Sequence, residues 1–182
     1  MKRNQLLSLL QNYQGEASTK ERLINFIESN PDCFERTNLS GHITASCWLV
    51  SQDGEKVLLT HHRKLDKWLQ PGGHCDGDSD VLRAAMKEAV EESGIDQWEV
   101  VSEDVFDIDI HAIPARKNEP EHFHYDVRFV FRAKENEEYI VSEESHDLAW
   151  VENSRLSEYT DEESMHRMNR KWQALLTAGQ FS

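Results

Sequence analysis

Residues 72–95, with the sequence GGHCDGDSDVLRAAMKEAVEESGI, constrain the fold of this chain more than any other segment. Two glycines open the segment, and because glycine lacks a Cβ the backbone there can approach a ligand closely. The composition then predicts a helix from Val81 to Ser93, with Gly94 as its C-terminal stop. We expect its N-terminal cap to be one of three polar residues, Asp78, Ser79 and Asp80.

Three glutamates on the predicted helix, Glu88, Glu91 and Glu92, have the spacing of a shared face. Positions i, i+3 and i+4 place β-carbons about 5–6 Å apart, where like charges cost roughly 0.2–0.5 kcal/mol per pair. A hard divalent cation turns this repulsion into binding, because Mg²⁺ prefers carboxylate oxygens. A solvated acidic face is the alternative that the spacing alone leaves open.

The segment resembles the Nudix box, the signature of the Nudix hydrolase family. Counted from Gly73, the chain matches that pattern at Gly73, Glu88, Glu91, Glu92, Gly94 and Ile95. It departs from the pattern at three positions, where Ser79 replaces the first Glu, Lys87 replaces Arg, and Ala89 replaces a larger aliphatic residue. Lys87 keeps the positive charge of the Arg but lacks its planar, bidentate fork.

The resemblance implies a metal-dependent hydrolase that cleaves a diphosphate linkage in a nucleoside diphosphate joined to another moiety. It places Mg²⁺ or Mn²⁺ on Glu88, Glu91, Glu92 and the backbone carbonyl of Gly72. It assigns catalytic roles to Glu91 and Glu92, and to Glu144 in the downstream segment SEESHDLAWV as acceptor of a proton from the attacking water. Nucleotide sugars, ADP-ribose and nucleoside triphosphates are the expected substrates.

Two further residues are candidate contacts to the substrate. His74 lies inside the box, where its ring can face a bound phosphate or metal. Arg128 lies in a strand-like segment and carries the charge to meet a phosphate. Glu143 is the alternative to Glu144 as proton acceptor. For each of these residues, an ordinary hydrogen-bonding or surface role is the competing interpretation.

Strand-like and helical segments surround the box. Runs of β-forming residues predict strands at 43–50, 57–60, 105–110, 125–133 and 149–151. The segment between the third and fourth of these, residues 111–124, is predicted as a polar loop. The resemblance implies an α/β fold, the Nudix-type α/β/α sandwich with a mixed β-sheet, over residues 39–182.

Helical spacing of apolar residues predicts helices at 5–13, from Ser18 onward, and from about Thr160 to Leu176. The last two begin with apparent capping boxes, formed by Ser18 with Glu21 and by Thr160 with Glu163. The two helices within residues 1–38 are interpreted as an N-terminal helical extension that belongs to the same domain.

Composition narrows the class of partner. The formal net charge of −14 disfavours binding to nucleic acid polymers and to anionic membranes. No apolar run reaches the length of a membrane span. Three widely spaced cysteines without a CxxC motif disfavour a disulfide framework and a cysteine zinc site. We therefore expect a cytoplasmic protein whose partner is a small-molecule nucleotide, with a homodimer left open.

Three other functions compete with hydrolysis, and the sequence disfavours the third. An isopentenyl-diphosphate-isomerase-like enzyme would use Cys75 as its reactive thiol. A non-catalytic nucleotide-binding sensor would bind without turnover, which the intact glutamates disfavour. A Ca²⁺ module of the EF-hand type would need Gly and Glu at loop positions 6 and 12. Counted from Asp76, those positions hold Val81 and Lys87, so the EF-hand interpretation fails.

Overall fold

The computed structural model describes residues 2–115, 120–143 and 145–179. The helices are α1 (Arg3–Asn12), α2 (Ala17–Ser29), α3 (Val81–Ser93) and α4 (Glu163–Thr177), with a 3₁₀ helix at Asn153–Glu158. The strands are β1 (Gly41–Val50), β2 (Lys56–His62), β3 (Lys67–Leu69), β4 (Gly72–His74), β5 (Trp98–Val100), β6 (Asp107–Ile113), β7 (His122–Ala133) and β8 (Ser145–Glu152). Within the described residues, no helix has the length and apolar character that crossing a membrane requires.

The strands of the described residues form one eight-stranded sheet. Hydrogen-bonded neighbours follow the order β3-β2-β1-β7-β5, while β4 pairs with β1, β6 with β7 and β8 with β2. The longest ladders, β2 with β8 and β6 with β7, are antiparallel. The predicted α/β class with two N-terminal helices is confirmed. The predicted division of the chain at residue 38 stays a prediction.

The chain divides into two compact units, which we describe separately. The first unit contains Met1–Ser46, Gly73–Ala85 and Glu103–Phe129, and the second contains Cys47–Gly72, Met86–Ser102 and Val130–Ser182. In the first unit, α1 and α2 each bury apolar residues that helical spacing places on one face of the helix. These residues include Leu6, Leu10, Leu23 and Ile27.

The second unit has its own core around two tryptophans. Trp48 in β1 and Trp172 in α4 are both fully buried. The indole N–H of Trp172 donates to the backbone carbonyl of Gly54 at 2.8 Å. Burial of an aromatic ring with its polar atom satisfied is strongly stabilising. The apolar stripe predicted for the last helix is therefore a core element, since Met165 and Met168 are also buried.

Both predicted capping boxes are wrong. Helix α2 begins at Ala17 after Glu16, so Ser18 lies inside the first turn rather than at the cap. Helix α4 begins at Glu163, and the hydroxyl oxygen of Thr160 instead accepts a hydrogen bond from the backbone N–H of Glu162 at 3.2 Å. A Ser or Thr three residues before a Glu also fits a turn that leads into the helix.

The predicted polar loop at 111–124 is wrong over part of its length. Strands β6 and β7 continue into it, and their ladder pairs His111 with His124 and Ile113 with His122. Histidine side chains do not interrupt a strand, because the ladder uses only backbone groups. Residues 116–119 lie outside the described residues. Strand β8 is also longer than the predicted 149–151, since it pairs with β2 along its length.

Candidate functional site

Helix α3, which carries the candidate glutamates, begins with a capped turn. The Asp80 carboxylate accepts a hydrogen bond from the backbone N–H of Arg83 at 3.1 Å, which confirms the predicted type of cap. The Arg83 guanidinium donates two bonds to Asp78, at 2.9 and 2.7 Å, and lowers the pKa of that carboxyl. The helix ends before Gly94, whose φ of 69° suits glycine. The predicted bounds Val81–Ser93 are confirmed.

The three glutamates of α3 differ in exposure. Glu92 is 8% exposed, Glu88 is half-buried and Glu91 is exposed. The Lys87 ammonium lies 3.6 Å from a carboxylate oxygen of Glu91, with both side chains more than half exposed. Such an i,i+4 pair contributes roughly 0.5 kcal/mol or less, so it leaves Glu91 free to exchange partners. Lys87, at the family's Arg position, therefore contacts one of the candidate glutamates.

Glu92 is held by the backbone of the glycine pair that opens the box. The N–H of Gly72 donates to Oε1 of Glu92 at 2.7 Å. A hydrogen bond to an ionised carboxylate is stronger than one between neutral groups. It fixes the orientation of a nearly buried carboxylate whose neighbours on the helix are also acidic. Oxygen donors of this kind suit Mg²⁺ or Mn²⁺, so the donor set fits the predicted metal.

For the other predicted members of this site, the structure does not test the predicted role. The carbonyl of Gly72 as a metal ligand stays a prediction, as do the catalytic roles of Glu91 and Glu92. Glu144, the predicted proton acceptor, lies outside the described residues. Its alternative, Glu143, is exposed in the turn that precedes β8.

Arg128 lies in a buried carboxylate cluster of the first unit. Its side chain is 2% exposed, and its guanidinium donates to Asp126 at 2.7 Å, to Asp107 at 3.1 Å and to Asp109 at 3.3 Å. Burial alone would lower the pKa of Arg128, but the three carboxylates outweigh it and raise that pKa. The hydroxyl of Thr44 donates to Asp126 at 2.9 Å.

This environment favours a structural role for Arg128 over the predicted contact with substrate. Its guanidinium donates hydrogen bonds to three protein carboxylates, and little of the side chain is accessible to a substrate. A sequence signal for the cluster exists. Asp107 and Asp109 alternate in VFDIDI, and Asp126 and Arg128 alternate in YDVRF. Two adjacent antiparallel strands with such alternation can place all four residues on one face.

His74, the second predicted substrate contact, lies among other histidines of the first unit. Its ring centroid is 5.0 Å from that of His42 and 5.1 Å from that of His124. Burial, together with neighbouring imidazoles, lowers the pKa of His42 to about 4 and that of His124 to about 2. The rings of His42 and His124 are therefore neutral near pH 7. A contact between His74 and substrate stays a prediction.

Cys75 is buried rather than reactive. The side chain is 4% exposed, and burial raises the pKa of its thiol, with Asp126, Asp78 and Asp76 acting in the same direction. A reactive cysteine needs access and an electropositive setting that favours the thiolate. The surroundings of Cys75 supply neither, which weighs against an isomerase that depends on this thiol.

The chain is similar to known proteins of one family. A family model described as the NUDIX domain matches residues 41–172. A comparison with curated protein sequences found no significant match.

Solved structures with the same fold include two hydrolases and a MutT protein. An Ap4A hydrolase of C. elegans aligns with a TM-score of 0.55 and 21% identity, covering 75% of this chain and 98% of that one. A MutT protein of Methanosarcina mazei gives 0.55 and 17%, covering 75% and 96%. The dihydroneopterin triphosphate pyrophosphohydrolase of E. coli gives 0.52 and 15%, covering 71% and 92%. These likenesses confirm the predicted α/β/α fold with a mixed sheet.

Proposed function

Because this chain belongs to the Nudix family of hydrolases, we propose that it is a divalent-metal-dependent pyrophosphohydrolase of small nucleotides. The expected bond is the diphosphate linkage of a nucleoside diphosphate joined to another moiety. Water attacks one phosphorus, and the bond to the bridging oxygen breaks.

The observation that carries this proposal is the hydrogen bond from the Gly72 N–H to Glu92. It joins two parts of the box pattern, the glycine pair and the glutamate helix, in one arrangement. A merely solvated acidic face would not require a backbone donor from a segment 20 residues away along the chain. Nor would it require one of its carboxylates to be 8% exposed.

Glu88, Glu91 and Glu92, with the carbonyl of Gly72, would hold Mg²⁺ or Mn²⁺. A divalent ion bound there supplies charge neutralisation for the diphosphate and a lower pKa for the attacking water. Glu92, oriented by Gly72, holds its carboxylate in a fixed direction. Glu91 is exposed and its 3.6 Å pair with Lys87 is weak, so it can take up a proton or a ligand position by side-chain rotation. Glu144 is the proposed proton acceptor.

Nucleotide sugars, ADP-ribose and nucleoside triphosphates are the proposed substrates. The net charge of −14 means that an anionic substrate needs bound cations to approach the carboxylates. The cytoplasm is the proposed location of the protein, and a homodimer is left open. Two rival functions, the thiol-dependent isomerase and the non-catalytic sensor, gain no support from a buried Cys75 or from three intact glutamates.

A substrate panel tests the proposal. Purified protein is incubated with Mg²⁺ or Mn²⁺ and with nucleotide sugars, ADP-ribose, nucleoside triphosphates and coenzymes. Ap4A and dihydroneopterin triphosphate, which give two of the similar enzymes their names, complete the panel. Reaction in ¹⁸O-labelled water, followed by mass spectrometry of the products, identifies the phosphorus that water attacks.

The expected result is cleavage of at least one compound into two phosphate-containing products, with one labelled oxygen in one product and none after chelation of the metal. Ligand binding without turnover by folded protein would instead support the sensor. In a separate incubation with isopentenyl diphosphate, rearrangement of this compound without uptake of label would support the isomerase.

A further inference from the structure

Five histidine rings of the first unit lie close together within the described residues. They come from three separate parts of the chain, at His42, His74, His111, His122 and His124. The ring of His42 is central, with centroids 5.0, 5.1 and 4.9 Å from those of His74, His122 and His124. His111 lies at the edge, 5.4 Å from His124. Such a concentration of one side chain points to a common ligand.

His42 is the member of this cluster whose buried ring nitrogens have no hydrogen-bond partner among the described residues. It is 3% exposed, and neither of its ring nitrogens has a hydrogen-bond partner among the described residues. The backbone of Asn38 lies near the ring of His42 but outside hydrogen-bonding geometry with its nitrogens. Buried polar atoms in proteins normally have partners. A buried imidazole surrounded by other imidazoles, with no hydrogen-bond partner for its nitrogens among the described residues, is suited to receive a cation.

The spacing of the rings fits one shared ion. The ligand nitrogens of His42, His74 and His124 all lie within 4.8 Å of one another. Imidazoles bound to one tetrahedral ion at about 2.0–2.1 Å have nitrogens about 3.4 Å apart and ring centroids about 5 Å apart. The observed centroid separations of 4.9 to 5.1 Å already match this value. Small rotations of the rings are enough to bring the nitrogens inward.

We propose that His42, His74 and His124 form a binding site for a transition-metal cation of the zinc type, separate from the carboxylates of α3. Neutral imidazole suits Zn²⁺ and similar ions, whereas Mg²⁺ and Mn²⁺ are better held by carboxylate oxygens. Three protein nitrogens leave a fourth position for water or for another ligand. The proposal does not depend on the hydrolase activity, because it uses none of the glutamates.

His122 is placed to complete or support this site. Its Nδ1 lies 2.9 Å from the backbone carbonyl of Pro120, and its Nε2 lies 3.3 Å from Nε2 of His124. Donation from Nδ1–H to the carbonyl leaves the lone pair of Nε2 directed toward His124. Backbone carbonyls fix the tautomer of metal-binding histidines in this way. His122 therefore either takes the fourth position or accepts a hydrogen bond from a water there.

Calorimetric titration with Zn²⁺ tests the proposal. Chelator-treated protein is titrated in excess Mg²⁺, which competes for the carboxylates. His124→Ala removes a half-buried member of the cluster, and His42→Gln removes the buried one. His146→Ala, at an exposed histidine of β8, controls for loss of any imidazole. Glu92→Gln separates this site from the glutamates of α3. Imidazole ¹⁵N shifts of the unmodified protein, recorded with and without Zn²⁺, identify the ligands without any substitution.

The expected result is one Zn²⁺ per chain for the unmodified protein, His146→Ala and Glu92→Gln. His124→Ala and His42→Gln weaken binding at least about 100-fold, the upper end of what loss of a ligand's orienting partner costs. The ¹⁵N resonances of His42, His74 and His124 move together on Zn²⁺ addition, and the melting temperature rises, since only the folded protein holds the site.

Three results would overturn the proposal. The first is absence of Zn²⁺ binding by the unmodified protein in excess Mg²⁺. The second is binding that leaves the ¹⁵N resonances of these three histidines in place. The NMR measurement decides the question even where a substitution unfolds the protein. Loss of Zn²⁺ binding in Glu92→Gln alone would also assign the ion to α3 instead.

Discussion

The backbone N–H of Gly72 donates a 2.7 Å hydrogen bond to a carboxylate oxygen of Glu92. The donor belongs to the backbone, so side-chain variation at position 72 does not remove it unless proline is introduced. The acceptor is nearly buried and lies one residue from an exposed glutamate, Glu91. Two adjacent carboxylates thus occupy different environments, one nearly buried and held by a backbone donor, the other exposed. This difference suits Glu92 to hold a metal and Glu91 to adjust during the reaction.

Glu91→Gln is expected to reduce turnover without unfolding the protein. Its side chain is exposed and its pair with Lys87 is weak, so the free energy of unfolding changes by roughly 0.5 kcal/mol or less. Loss of a group that exchanges protons or binds the metal lowers kcat/KM about 100-fold or more. Steady-state kinetics and urea unfolding measure the two effects. Glu28→Gln, at an exposed glutamate of α2, is the matched control. Unchanged kcat/KM for Glu91→Gln would remove Glu91 from the site.

Arg128→Met is expected to destabilise the fold. Removing the guanidinium leaves the buried carboxylates Asp107 and Asp126 without the cation that both contact, which costs about 3–5 kcal/mol. Urea unfolding measures this cost. Arg155→Met breaks an exposed ion pair with Glu158 and should leave the midpoint almost unchanged. If Arg128→Met unfolds at the same urea concentration but shows a raised KM, the predicted contact with substrate is correct and the structural role is not.

Asp78→Asn is expected to lower stability only above acidic pH. The pKa of Asp78 in the folded protein is lowered, first by hydrogen bonds from the Arg83 guanidinium. The ionised carboxyl therefore stabilises the fold above its unfolded pKa of about 3.9, and this is lost as pH falls through the lower folded pKa. Melting temperatures of both proteins between pH 3 and 7 measure the difference. A difference that persists or grows at the acidic end contradicts the ion pair as its source.

Cys75→Ala is expected to preserve metal-dependent hydrolysis. The thiol is buried and its pKa is raised, so it is poorly suited to nucleophilic or acid–base work. The folded protein should also resist alkylation at Cys75 until it is unfolded in urea, as mass spectrometry of the modified peptides would show. Rapid alkylation of the native protein, together with loss of activity in Cys75→Ala, would restore the isomerase interpretation.

Local patterns predicted the helix α3 well. Its helix-forming composition, its acidic cap and its terminal glycine act within a few residues of one another, so the bounds Val81–Ser93 follow from the sequence. The capping boxes of α2 and α4 were predicted by the same logic and were wrong. Ser18 and Thr160 each have neighbours that allow more than one turn geometry, and the turn is decided by packing that the local sequence does not contain.

The histidine cluster and the carboxylates around Arg128 depend on contacts between residues that are far apart in the sequence, so local patterns did not predict them. His42 is separated from His74 by 32 positions and from His124 by 82, and only the fold brings their rings within about 5 Å. Arg128 was predicted to contact phosphate because the sequence does not show that its side chain is already paired. Asp107 and Asp109 lie on the neighbouring strand, and Asp126 lies two positions before Arg128 on the same strand. Pairing the segments VFDIDI and YDVRF as neighbouring antiparallel strands predicts that cluster.

Magnesium-dependent turnover by Glu92→Gln tests the central claim most directly. The substitution keeps an oxygen that can accept from Gly72 but removes the charge that would hold the metal. We predict that the variant, with an unchanged melting temperature, loses at least about 100-fold in kcat/KM on the substrate that the panel identifies. Glu28→Gln should retain full activity. Full metal-dependent turnover by a folded Glu92→Gln protein would contradict the assignment of the reaction to the glutamates of α3.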